Sequence, residues 1–176
     1  PNLIAAIEIV RRMGLPAVVA INAFPSDTEA EWALIERAAL EAGAAAAVPA
    51  RHLMEGGAGA TDLANAVVKA TSKPANFDFL YPLDLTLKEK IETIAMRCYG
   101  ADGVEYTPEA EAKISNYTEL GYGNLPICMA KTHLSLSHDP KLKGRPKGFT
   151  LPVRDVRLSA GAGFVYPICG SMLTMP

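Results

Sequence analysis

The chain has 176 residues, 49% hydrophobic and 20% charged, a balance that buries a core and excludes a wholly disordered chain. A formal net charge of −2 and a pI near 6.0 exclude a general electrostatic binder of nucleic acid or membrane surfaces. No apolar run reaches the roughly 18–20 residues of a membrane span, and Pro1-Asn2-Leu3 does not open a basic-then-apolar signal peptide.

Residues 2–13 place Leu3, Ile4, Ile7, Val10 and Met13 at helical spacing, with Gly14 as a C-terminal cap. "LPAVVAINAF" is a continuous apolar run, as expected of a parallel strand buried on both faces. "PSDTEAEWALIERAALEAG" predicts a helix capped by Ser26 or Asp27, with acidic residues in its first turn and Gly43 at its end. "AAAAVPA" is a second short strand, and "EGGAGATDLANAVVKATSK" a glycine loop leading into a third helix, with Thr61 or Asp62 as its cap. This alternation of helix and strand predicts parallel pairing with right-handed crossovers.

"PANFDFLYPLDL", 74–85, breaks the alternation with Pro74 and Pro82 and reads as a boundary. Beyond it, "TLKEKIETIAMRCYG" is helical with Leu87, Ile91, Ile94 and Ala95 on one face, and "TPEAEAKISNYTELGYG" is a helix capped by Thr107 with Pro108 at its first position. A strand over 125–131 follows, then a polar loop and the basic segment "KLKGRPKG". "FTLPVRDVRLS" and "GFVYPICG" are the closing strands, and Val153, Val156 and Leu158 alternate imperfectly. The expected fold is α/β: a layered, mostly parallel sheet with helices on both faces in residues 1–76, then a smaller α+β subdomain in 77–176. Both ends read as cut, so the chain is expected to be a piece of a longer protein. Cys98, Cys128 and Cys169 are odd in number, far apart and set among apolar residues, which predicts free buried thiols and a cytoplasmic location.

Six features could carry chemistry. "AKT", 130–132, fails the phosphate-loop pattern G-x-x-x-x-G-K-[ST], because Leu125 and Ala130 stand where glycines are needed and Pro140 follows instead of a helix. Cys128, His133 and His138 are spaced C-x4-H-x4-H, without the fourth ligand and tight pairing of a zinc site, so a core thiol and two polar histidines are the expected reading, with no metal. Gly56 and Gly57 precede a helix, where backbone N–H groups attract anions; a flexible connection accounts for them equally well. Phe24-Pro25 lies at the carboxyl end of the first strand, where open α/β sheets place ligands; the ring could stack on a flat ligand or staple the next helix. The lysines and arginine of "KLKGRPKG" form a solvated loop or a site for phosphate, and "SAGAG" at 159–163 is a glycine turn serving backbone geometry. None of these supplies a catalytic acid, base or nucleophile.

Several segments, taken together and in order, resemble formate–tetrahydrofolate ligase: "NAFPSDTEAE", "EGGAGATDLANAV", "FLYPLDLTLKEKIETIA", "YGADGVEYTPEA", "GYGNLPICMAKTHLSLSHDP", "KGFTLPVRDVRLSAGAGFVYP" and "TMP". The resemblance covers essentially the whole chain and falls in the C-terminal third of that enzyme. It implies an ATP-dependent ligase that makes 10-formyltetrahydrofolate from formate and tetrahydrofolate through formyl phosphate, with MgATP as phosphoryl donor. The family's phosphate loop lies in the N-terminal part, so the isolated chain is expected to be inactive and the magnesium to be bound mainly by the missing part.

By the same resemblance, Phe24 and Pro25 form a pterin-stacking wall, and Leu53, preceded by His52, stands where a second aromatic residue is usual. Val48, Arg145 and Lys147 border the nucleotide, although the family's turn usually carries small hydroxyl residues at the last two positions. Residues 1–76 would then carry the folate-site wall. Lys131 and Thr132 would end the 125–131 strand in a support for the basic turn at 144–149. The family is commonly a homotetramer. The alternative reading is a non-catalytic α/β binding or assembly module derived from the family, favoured by Leu53.

Overall fold

A computed structural model describes residues 1–171 of the chain. It is an α/β protein whose residues fall into two compact units, divided between Asp78 and Phe79. The closing Thr174-Met175-Pro176 lies outside the described residues.

The first unit is built on two parallel strands, β1 (Val18–Asn22) and β2 (Ala46–Ala50), in register from Val18 opposite Ala46 to Asn22 opposite Ala50. Helix α1 (Asn2–Arg12) carries Arg11 and Arg12 in its last turn, where cations oppose the negative end of the helix dipole. Gly14 follows at φ 71°, and a Cβ there would lie 1.7 Å from the Asn76 carbonyl oxygen, so only glycine fits. Helix α2 (Glu29–Glu41) is capped by Thr28, not by Ser26 or Asp27. The Thr28 hydroxyl accepts from Glu31 N while the Glu31 carboxylate accepts from Thr28 N at 2.8 Å, a reciprocal pair that satisfies two donors at the helix start. Arg11 Nη1 donates to the Ala42 carbonyl at 3.1 Å, tying α1 to the end of α2.

Beyond β2, the chain makes a four-residue helix, α3 (His52–Glu55), a 3-10 turn (Gly56–Ala60) and helix α4 (Thr61–Thr71). Thr61 is the first residue of α4 rather than its cap, and no side chain caps that end. The 3-10 turn runs straight into the helix and its carbonyls take the first donors; Thr61 N, for example, donates to Ala58 O. The core is made of Ile7, Ala17, Ile21, Ala39, Ala44 and Ala47, with Leu3, Val19, Trp32 and Ile35 packed against it. Its alanines let α2 lie close to the sheet.

The second unit contains α5 (Leu87–Ile94), β3 (Gly103–Tyr106), α6 (Pro108–Tyr117), β4 (Thr150–Ser159) and β5 (Phe164–Cys169). Thr86 and Glu89 form a second capping box, and Thr107 caps α6 with Pro108 at the first position, as its sequence predicts. Each helix widens into a π turn at its end, Ala95–Tyr99 and Thr118–Tyr122. The sheet order is β3-β4-β5, with β3 parallel and β5 antiparallel to β4. Residues 125–131 run parallel to β5 as a further, less regular edge, with Cys128 N donating to Val165 O and Ala130 N to Pro167 O, both at 2.9 Å. The imperfect alternation of β4 has a local cause. The register shifts between Val153 and Asp155, so Leu151 and Val153 are buried before the shift and Val156 after it.

Candidate functional site

Phe24 and Pro25 leave β1 at its carboxyl end. Ala23 N donates to Ala50 O at 3.1 Å, which holds the chain to the sheet up to the residue before them. Phe24 N then donates to Asp27 Oδ2 at 2.9 Å and Asp27 N to Phe24 O at 3.0 Å, closing a tight turn. The ring remains 45% exposed, which leaves a face for a ligand and argues against a buried staple on α2. Pro25 is exposed beside it. Beside this turn, Asn22, Asp27, Glu31 and Trp32 line the polar end of a cavity of about 470 Å³ whose other walls are Leu3, Val19, Ile21 and Ile35.

Leu53 lies on α3 and is 61% exposed, next to Met54 at 44%. Arg51 just before it sets its guanidinium carbon 5.3 Å from the centre of the Trp32 ring, a cation–π contact that joins β2's end to α2. Arg51 N also donates to Gly59 O at 2.9 Å. A Cβ on Gly59 would fall 2.6 Å from the Arg51 carbonyl, so glycine is required for this closure. Gly56 and Gly57 sit exposed in the 3-10 turn, a full turn before α4 begins, so their N–H groups do not belong to the first turn of that helix. Val48 is half-buried on β2 and lines a small cavity of about 110 Å³ with Pro49, Arg51, Glu55, Gly59 and Asp62.

In the second unit, Arg145 and Lys147 are exposed in a turn bounded by Gly144 at φ 74° and Gly148 at φ 71°. Lys131, at the end of the 125–131 segment, is half-buried. Its ammonium lies 4.7 Å from the centre of the Tyr99 ring and donates to Thr132 O at 3.1 Å and to Ser135 O. Burial holds its pKa below the ordinary lysine value. The Thr132 hydroxyl accepts from Leu134 N at 3.2 Å. Behind this turn Ser135 and Ser137 are buried, their hydroxyls 2.9 Å apart; Ser135 Oγ donates to Leu142 O at 2.6 Å and Ser137 Oγ accepts from Asp139 N at 3.1 Å. The loop from 131 to 142 is therefore cross-tied, and it leads directly into the basic turn.

Cys128 is exposed rather than a core thiol, because the 125–131 segment is a sheet edge that turns alternate side chains outward. Cys169 is the buried thiol, and desolvation pushes its pKa up to about 12, which makes it inert. Cys98 is half-buried, and all three cysteines are free. His133 is exposed, while His138 sits 6.5 Å from the Phe149 ring with its Nδ1 buried and unpartnered. Among the described residues no group of three or more His, Cys, Asp or Glu could hold a metal ion, and no helix is long and apolar enough to cross a membrane.

Sequence reasoning missed Lys90, which is fully buried on α5 and donates to Gly123 O at 2.7 Å and Leu125 O at 3.2 Å. A signal existed: position 90 falls between Leu87, Ile91 and Ile94 on the apolar face, where a lysine must find acceptors. A buried ammonium and a half-buried one thus hold carbonyls at either end of the 125–131 segment, Lys90 at its start and Lys131 at its finish.

All 176 residues, 1–176, match the family model described as formate–tetrahydrofolate ligase. The chain is 55% identical over 175 residues to the formate–tetrahydrofolate ligase of Roseiflexus castenholzii, covering 99% of this chain and 31% of that protein. It is 55% identical to the cytoplasmic C-1-tetrahydrofolate synthase of Mus musculus and 57% identical to the mitochondrial monofunctional C1-tetrahydrofolate synthase of Bos taurus, again over 99% of this chain but 19% and 18% of those proteins. The chain therefore spans less than a third of the length of the relatives it matches. On this full-length match, the chain belongs to the formate–tetrahydrofolate ligase family.

Proposed function

We propose that the chain is the part of an ATP-dependent formate–tetrahydrofolate ligase that supplies pocket surface for tetrahydrofolate and for the adenine side of ATP. The observation that carries this reading is the Phe24-Pro25 turn, held rigid by Asp27 at the carboxyl end of a parallel strand with its ring 45% exposed. Open α/β sheets bind ligands at that end of the strands, and a fixed, half-exposed ring stacks on a flat heterocycle with little ordering cost. Leu53 adds an apolar but non-aromatic surface. Val48, Arg145 and Lys147 are assigned to the nucleotide, the last two through their charge. Gly56, Gly57, Lys131 and Thr132 are assigned supporting roles.

ATP would supply the phosphoryl group that activates formate. The chain offers no phosphate-loop pattern, which supports assigning the phosphate chemistry, with its magnesium, to the rest of the polypeptide. A cytoplasmic site of action accords with three free cysteines, and homo-oligomerisation of the complete enzyme belongs to the same reading.

Phe24→Ala in the complete enzyme tests the assignment. Loss of ring stacking, on the order of 1–3 kcal/mol, raises the KM for tetrahydrofolate roughly tenfold to a hundredfold. An unchanged KM overturns it. The second reading, a non-catalytic module, rests on the aliphatic Leu53. Under the ligase reading, Leu53→Trp adds a ring worth about 0.5–1.5 kcal/mol and lowers the same KM; a complete protein without formate-dependent turnover supports the module instead.

A further inference from the structure

Strands β1 and β2 end side by side: Asn22 stands opposite Ala50, and Ala23 N donates to Ala50 O at 3.1 Å. The chain leaves one strand end through Phe24 and the other through Arg51. Arg51 is exposed, yet it is fixed by its backbone and by its side chain. Its N–H donates to Gly59 O at 2.9 Å, and its carbonyl accepts from Met54 N and Glu55 N, both at 3.0 Å. Its guanidinium carbon lies 5.3 Å from the centre of the Trp32 ring. A cation–π contact uses none of the five N–H donors of a guanidinium. Among the described residues no acceptor or carboxylate engages that side chain, although Glu55 and Asp62 line a small cavity with Arg51. An ordinary surface arginine loses rotamer freedom when it binds an anion. Arg51 is already restrained, so it is a pre-organised cation without a counterion.

We propose that Arg51 binds a carboxylate of the glutamate tail of tetrahydrofolate while Phe24 holds the pterin. This rests on the reading that Phe24 stacks on the pterin ring. Tetrahydrofolate joins a flat heterocycle to a glutamate with two carboxylates. The adjoining strand ends offer the matching pair: a half-exposed ring and an unneutralised planar cation. A guanidinium meets a carboxylate through two parallel N–H···O bonds, which a point charge cannot do. The other anions of the reaction fit less well. The phosphates of ATP need the phosphate loop that this chain does not carry, and formate must lie beside the phosphate that activates it. An exposed group at a strand end suits a tail that reaches toward solvent.

Arg51→Met in the complete enzyme, assayed with tetrahydrofolate and with tetrahydropteroate, which lacks the glutamate, tests this. Methionine keeps an unbranched apolar stem for Trp32 and removes the charge. The KM for tetrahydrofolate should rise about fivefold to tenfold, while the KM for tetrahydropteroate keeps its wild-type value. Higher ionic strength should raise the wild-type KM for tetrahydrofolate toward that of the variant. An unchanged tetrahydrofolate KM overturns the proposal. An equal rise for both folates overturns it too, because it reports a disturbed pocket and not a lost carboxylate contact. A rise confined to formate or ATP likewise overturns it. The pterin assignment fails separately: if Phe24→Ala moves neither folate KM while Arg51→Met moves that of tetrahydrofolate alone, the carboxylate contact stands and the ring is held elsewhere.

Discussion

The ammonium of Lys131 lies over the ring of Tyr99, 4.7 Å from its centre, and from that position holds the carbonyls of Thr132 and Ser135. A strand end that would otherwise fray is thus fixed between a π turn and a buried serine pair. The Ser135 hydroxyl extends the tie to Leu142, two residues before the basic turn begins.

Lys131→Ala in the complete enzyme removes this tie. If the loop positions Arg145 and Lys147 for ATP, the KM for ATP rises about tenfold, ~1.4 kcal/mol, while the KM for formate is unchanged. Lys131→Arg, which keeps the charge over Tyr99, restores most of the loss. Normal ATP KM in a stably folded Lys131→Ala protein removes the positioning role; a matching Arg145→Ala experiment shows separately whether the turn meets ATP at all.

The isolated 176-residue chain is expected to show no formate- and tetrahydrofolate-dependent ATP turnover, measured as phosphate release. The complete polypeptide should show it. Turnover by the isolated chain would place the phosphate chemistry on residues that carry no phosphate-loop pattern.

Lys90 is sealed from solvent and its ammonium has two carbonyl partners, with burial lowering its pKa and Asp84 partly offsetting this. Lys90→Ala leaves those carbonyls unpaired and opens a cavity, and should destabilise the complete protein by about 2–5 kcal/mol in denaturant unfolding. Lys90→Met retains the apolar stem and should lose less. Equal stability of wild type and Lys90→Ala would show that water replaces the ammonium at no cost.

Alkaline pH should weaken the second unit through its tyrosines. Desolvation, reinforced by nearby anionic groups, raises the pKa values of Tyr99 and Tyr106 well above the ordinary value near 10. In the unfolded chain these phenols ionise near 10, in the fold only at higher pH. The stability they contribute is therefore full below about pH 10 and is lost as pH rises through the raised values. Tyr99→Phe should flatten the fall in Tm above pH 10 while keeping a ring under Lys131. A slope identical to wild type would show that Tyr99 ionises alike in both states.

Local chemistry was legible wherever it is a matter of neighbours in sequence. Thr107-Pro108 starts a helix, Gly14 ends one, and the apolar run over 18–22 makes a strand, because capping, backbone freedom and continuous apolarity act over a few residues. Thr28 was within reach of the same reasoning, since Thr28-x-x-Glu31 is a capping box, but Ser26 and Asp27 competed for the same helix start.

The sequence by itself determined the α/β class and the family, since long ordered segments such as "GYGNLPICMAKTHLSLSHDP" are specific to one. The tertiary structure alone decided the rest. It put Lys90 in the core, set Lys131 over Tyr99, turned Cys128 outward and shifted β4 by one residue between Val153 and Asp155. Each of these depends on a partner 30 or more residues away, or on the pairing of one strand with another. A buried ammonium is stable only where distant carbonyls converge on it, and no local pattern records where they will meet.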